Sequence, residues 1–245
     1  MNTTVFALTL RQIAGQKRIV LVGLVAALAP IGLALIYRAG NFDDPLDWTA
    51  NTLLDSIVVT VVLPLTCLLV GTSAMGTEIE DGTAVYLLSK PLPRREIVFA
   101  KAAAAILVAA AFLLPATALA PQLSLEGAEN EGLVAGFLVA TALGICAYTM
   151  IFVLLSVATS RPLVFGLGYV FIWEGVLGDL FTGTRYLSVR QYCLGIADGI
   201  ATVDDRVFEA ALNGAVALAL MLAVLAIATA LATRSLARFE LRADD

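Results

Sequence analysis

Apolar residues fall in six long stretches separated by short polar clusters: roughly Ile19 to Tyr37, Leu53 to Ser73, Val98 to Leu119, Leu133 to Ala158, Pro162 to Leu177 and Phe208 to Ala232. An α-helix rises about 1.5 Å per residue, so about 20 apolar residues cross the hydrocarbon of a bilayer. The fifth stretch is short by that measure; the others reach it or come close. The runs are continuous rather than alternating, which is the pattern of helices surrounded by apolar matter and not of a barrel wall. The pattern predicts an all-α polytopic membrane protein with six transmembrane helices, organised as one transmembrane domain over 1–245. The first stretch follows Arg11, Lys17 and Arg18, as a signal peptide would. Its apolar run is longer than the usual core of about 7–15 residues, and Pro30 directly follows the small-x-small triplet Ala27-Leu28-Ala29, so it reads as a retained span.

The segments between the spans refine this picture. Residues 1–18 are too short to cross, yet Phe6, Leu10 and Ile13 recur at helical spacing with Arg11, Gln12, Gln16 and Lys17 elsewhere on the wheel. This predicts a helix lying in the membrane interface, apolar face down. Residues 178–207 mix Asp179, Arg185, Arg190, Asp198, Asp204, Asp205 and Arg206 with Phe181, Tyr186 and Tyr192. A plain surface loop and helical pieces re-entering the bilayer before the last span both fit that mixture. Small residues repeat every four positions at Gly136, Ala140 and Gly144 and again at Ala215, Ala219 and Ala223, stripes that allow close helix packing within the chain. Pro64 and Pro115 interrupt the second and third spans and are expected to bend them.

Charge sets the orientation. With both ends cytoplasmic, eleven of the 15 basic residues lie inside and four outside, which satisfies the positive-inside bias. Arg11, Lys17, Arg18, Arg94 and Arg95 then anchor the inner interface, and Lys101, a turn or two into the third span, snorkels back to it. The chain is expected in a prokaryotic plasma membrane.

Composition agrees and removes several chemistries. Hydrophobic residues make up 60% and charged residues 14%, with a mean hydropathy of +0.92; soluble domains average about 25% charged. There is no histidine, so His-based triads, metal sites and proton relays are absent. Cys67, Cys146 and Cys193 lack the paired spacing of a metal site. A net charge of −5 gives no support for nucleic-acid binding. Neither a phosphate-binding G-x-x-x-x-G-K-[ST] loop nor a G-x-G-x-x-G turn occurs, so the chain hydrolyses no nucleotide by itself and needs no cofactor of its own.

The densest charge lies in residues 76–96, between the second and third spans. Glu78, Glu80 and Asp81 precede Ala84 to Ser89, and Lys90-Pro91 follows. Acids at the start and a base before proline describe a short cytoplasmic helix with a defined stop. The arrangement of Glu78, Glu80, Gly82-Thr83, Leu87-Leu88, Pro91, Arg94 and Lys101 resembles the cytoplasmic loop of ABC-2-type ABC transporter permeases. In that family E-x-E-x-G-T is followed by paired leucines, then Pro, Arg and a Lys opening the next span. Family members often carry a Lys-Glu pair in the N-terminal helix, where this chain has Leu10-Arg11-Gln12.

The resemblance implies a permease subunit of an exporter. A separate ATPase subunit, carrying ATP and Mg, would receive the helix over 78–89 in a surface cleft and move the spans through it. Glu78, Glu80, Asp81, Gly82, Thr83, Leu87, Leu88 and Pro91 are the expected coupling residues, with Arg161 before Pro162 as a second, smaller contact. A second permease copy or a related permease would complete the complex.

Within the spans Thr60 and Thr66 are scattered polar groups, and Glu174 is the acid best placed to face a translocation path. Such a wall suits an amphipathic or lipid-like cargo. The alternative is an ion-coupled secondary transporter without an ATPase, against which stands the lack of any chain of acids across the spans.

Overall fold

Helix α1 (Thr3–Gly15) buries Val5, Thr9 and Ile13 and turns at Gln16, whose carbonyl accepts from Ile19 N at 3.0 Å and Val20 N at 3.2 Å to start α2 (Lys17–Gly40). The buried face is Val5, Thr9 and Ile13 rather than the expected Phe6, Leu10 and Ile13, because α1 packs sideways on the start of the third long helix. The computed structural model describes residues 3–40, 44–80, 93–125, 132–177, 183–201 and 207–239, with side chains at all of these but 77–80, 94, 176, 177 and 237–239.

Pro45, preset for a first helical turn, opens the second long element, a turn over Pro45–Asp47 that runs into a π-helix over Trp48–Val62. Its wider winding shows in bonds five residues apart: Leu63 N to the Val58 carbonyl, and the Ser56 and Thr60 hydroxyls to the Asn51 and Asp55 carbonyls. Pro64 has no N–H to continue that register, and ordinary α-helix follows as α3 (Leu63–Glu80). Helix α4 (Arg94–Leu125) continues through Pro115 and Pro121. Helix α5 (Leu133–Ala158) coincides with the predicted fourth span; it starts at Gly132, whose φ of 80° favours glycine, and ends at extended Thr159 before Arg161-Pro162. Then come α6 (Pro162–Gly168), a second π-helix (Tyr169–Leu177), a 3₁₀ turn (Thr184–Leu187), α7 (Val189–Asp198) and α8 (Gly214–Phe239).

Among the described residues five helices are long and apolar enough to cross a membrane: Lys17–Gly40, Pro45–Gly76, Arg95–Leu125, Leu133–Ala158 and Gly214–Leu236. The expected fifth span is a shorter apolar helix, Pro162–Gly175. The last long helix begins at Gly214 instead of Phe208. Phe208 and Leu212 are spent on packing, Phe208 with its ring centroid 5.3 Å from that of Phe137, and Asn213 caps the helix by accepting from Ala215 N and Ala217 N.

Helix α5 forms the axis of the bundle, touching α3, α4, α6, α7 and α8. Its Gly136-Ala140-Gly144 stripe is the seat of α7: a Cβ at Gly136 would lie 2.5 Å from the Ala197 carbonyl oxygen, and one at Gly144 2.8 Å from Cys193 Sγ. The second stripe, Ala215, Ala219 and Ala223, faces outward, since α8 buries Ala217, Met221, Ala228, Ala232 and Leu236 instead. One cluster joins Ile13, Ile19, Ala74, Ile97, Val157 and Leu236, so α1 and the far end of α8 lie at the same end of the bundle. Ala34, Leu53 and Ala120 pack together at the other end.

Candidate functional site

Among the described residues, the buried charges Lys101 and Glu174 mark two polar sites in the apolar bundle. The first lies at the end where α1 and the end of α8 meet. There the last turns of α3 and the first turns of α4 form the stems of the acidic loop. Lys101, seven residues into α4, was expected to reach the surface; its side chain is instead 1% exposed, and Nζ donates to the Ala74 carbonyl of α3 at 2.8 Å. The ammonium turns inward because α1, α3 and α5 cover this face of α4, leaving an inward carbonyl nearer than water. A charged donor of this kind contributes about 1.5–3 kcal/mol per bond, set against a burial penalty of several kcal/mol for the ion. Lys101 also has an interaction beyond this bond.

A cavity of about 110 Å³ at the same end is lined by Gln16, Arg18, Thr72, Ser73, Gly76 and Pro162, among others. It brings the α1–α2 corner, the α3 stem and the start of α6 together. Arg161 is exposed beside it, and Arg11, Lys17, Arg18 and Arg95 are exposed. Glu78 and Glu80 lie in the last turn of α3, but their side chains, like that of Arg94, lie outside the described residues, as do Asp81, Gly82, Thr83, Leu87, Leu88 and Pro91.

The second site sits deeper, at a break in the chain's path. Starting from Pro162, beside Gly76, the second π-helix brings Glu174 to the start of α7. Helix α7 then runs from the level of Gly144 to that of Gly136, near the first turn of α5. Gly144 lies about 16 Å along α5 from Leu133. The two pieces together therefore traverse the bundle, and Glu174 is the splice between them. It is 1% exposed. Its Oε1 accepts from Tyr169 Oη at 2.7 Å and Val189 N at 3.0 Å, and its Oε2 from the Ser188 hydroxyl and Arg190 N. The carboxylate thus occupies the N-terminus of α7, where free amides and the helix dipole favour an anion. Ser188 completes the cap by accepting from Gln191 N at 3.2 Å.

Next to it, Arg190 holds Asp55 of the first π-helix with two bonds from Nη2, at 3.0 and 3.2 Å, and one from Nε at 3.3 Å. Thr60, half-buried, adds its hydroxyl to Asp55. Thr66 is buried in α3, away from this pair. Of the three predicted path residues, the structure therefore brings Glu174 and Thr60 into one network and leaves Thr66 out. Arg190 and Ser188 were missed by the sequence reading. Ser188-x-x-Gln191 carries the spacing of a capping box and was the available signal.

No group of three His, Cys, Asp or Glu that could hold a metal occurs among the described residues. The described residues form a bundle with a Lys101–Ala74 bond between the two stems at one end and a capped, ion-paired short helix inside. A family model described as an ABC-2 family transporter protein matches residues 9–242. The chain belongs to that family. It is therefore a multi-pass membrane protein and a permease component of an ABC transporter, a transport component that is not catalytic alone. No curated protein matches the sequence.

Proposed function

We propose that this permease is the moving part of an ATP-driven exporter, powered by a separate ATPase subunit that binds ATP and Mg and grips the loop over 76–96. The observation that carries the reading is the family match over 9–242 together with Glu78 and Glu80, placed in the last turn of a long membrane-type helix. A lever works only if its stem is stiff. Both acids belong to α3 itself, so a push on them passes to a helix packed against the α5 axis. Acids there pair with basic groups on a partner, fixing orientation more than affinity.

In this reading the end holding α1, Arg11, Lys17, Arg18, Arg95 and Arg161 faces the cytoplasm, α1 lies in the inner interface, and the membrane is a prokaryotic plasma membrane. The path from Pro162 through Glu174 and α7 forms the sixth crossing in two pieces. It joins two ends of the bundle that five long helices alone would leave inconsistent. Two permease copies, or one with a related permease, form the complex, and the aliphatic walls suit an amphipathic or lipid-like cargo.

The test is the double variant Glu78→Lys/Glu80→Lys. Inserted normally, it should lose the ATPase subunit on purification or lose transport. Normal binding together with normal transport overturns the loop's assignment. Thiol labelling from either side of the membrane, at cysteines placed at Arg95 and Gly183, checks the orientation.

A further inference from the structure

We infer that Lys101 is a positioning residue for coupling: it ties the two stems of the cytoplasmic loop so that a push on the loop reaches both α3 and α4 together. The inference rests on the reading of that loop as the ATPase contact.

Lys101 and Ala74 are 27 residues apart, and their bond closes the loop's base from inside the bundle. Ala74 lies six residues before the end of α3, and Lys101 seven after the start of α4. The tie thus sits about 10 Å below the loop along either helix. Around it Met75, Ile97, Val98 and Ala102 are buried in one cluster with Val70 and Val157. Apolar packing of that kind resists separation of the helices but carries no register, because methyl and methylene groups slide past each other at low cost. A directional bond from a buried ammonium to one carbonyl does fix register. Sliding α4 by one turn would move the ammonium about 5.4 Å away from its acceptor. With the bond in place the stems move as one body; without it a push on the loop is absorbed by slip between them.

The experiment uses the chain purified with whatever ATPase subunit accompanies it, in lipid nanodiscs, as wild type, Lys101→Met and Lys101→Arg. Three quantities are read: co-purification of the ATPase, its ATP turnover with and without the permease, and amide exchange in residues 70–76 and 97–103. Lys101→Met is expected to keep the ATPase bound, speed exchange in both stretches, and cut the permease-dependent part of turnover about fivefold or more, the lower bound of common allosteric couplings. Lys101→Arg, which keeps a charged donor, should restore most of both. Unchanged exchange in Lys101→Met overturns the tie. Faster exchange with unchanged turnover overturns its role in coupling. If no ATPase accompanies the wild type, the proposed function falls, while exchange still decides whether the tie exists. Should Lys101→Met fail to insert, Lys101→Leu, which likewise has no donor, is read by the same criteria.

Discussion

Lys101 and Glu174 carry opposite charges, are both 1% exposed, and are held by different means. Lys101 donates to a carbonyl of the neighbouring helix, a group already used within α3, so the bond adds to a helix that would exist without it. Glu174 accepts from two hydroxyls and two amides, and the amides of Val189 and Arg190 are first-turn donors that α7 cannot satisfy by itself. One charge fine-tunes two complete helices, and the other is a condition for a ten-residue helix to exist inside the bundle. The difference teaches that burial alone does not rank such groups; what their partners would do without them does.

The largest expected effect follows at the splice. Glu174→Leu leaves Ser188, Tyr169 and the Val189 amide short of an acceptor, each at about 1–3 kcal/mol. It should lower the unfolding temperature more than Arg190→Met, Lys101→Met or Thr60→Val. Cys67 and Cys193 are buried free thiols, and their reaction with a maleimide dye during heating reports the loss of packing. Equal melting of Glu174→Leu and Lys101→Met would erase the contrast drawn above.

Next in size is Arg190→Met. It strands Asp55 in a largely covered site, with side chains 13% and 18% exposed, and removing one partner of a buried pair costs about 3–5 kcal/mol. Asp55→Asn/Arg190→Met together should recover much of that loss, because no unpaired charge remains. If the double variant is as unstable as the single, the pair acts through packing and not through charge.

Lys101→Met should cost less stability, about 1.5–3 kcal/mol by the same thiol assay, while its effect on coupling is large. The reverse ordering, severe destabilisation with normal coupling, would make Lys101 a structural residue. Smallest is Thr60→Val. Its hydroxyl bonds the Asp55 carbonyl at 2.9 Å and the carboxylate only at 3.4 Å, so about 0.5–1.5 kcal/mol is expected.

Legibility in the sequence followed the range of the interactions. Helix α5 could be read to its ends because Gly132 and Arg161-Pro162 bracket it locally. Helix α8 could not: Phe208, Ala210, Ala211 and Leu212 continue an apolar run, and contact with Phe137 diverts Phe208 into packing instead of a helix start. At the sites, Glu174 was marked by being an acid in an apolar stretch, but its role depends on Ser188 and Arg190, 14 and 16 positions away, and on Asp55, 135 away from Arg190. The direction of Lys101 was misread for the same reason, since snorkelling assumes lipid on the side where α1, α3 and α5 stand.

The sequence by itself determined that this protein lives in a membrane, that its polypeptide is helical, and that its densest run of charge lies in residues 76–96, because hydration cost and helix punctuation act over single turns. The tertiary structure decided which small-residue stripe seats a neighbour, where the apolar stretch after Pro162 breaks, and which buried charges find partners. Those outcomes depend on surfaces brought together from distant parts of the chain, and no window of local sequence contains them.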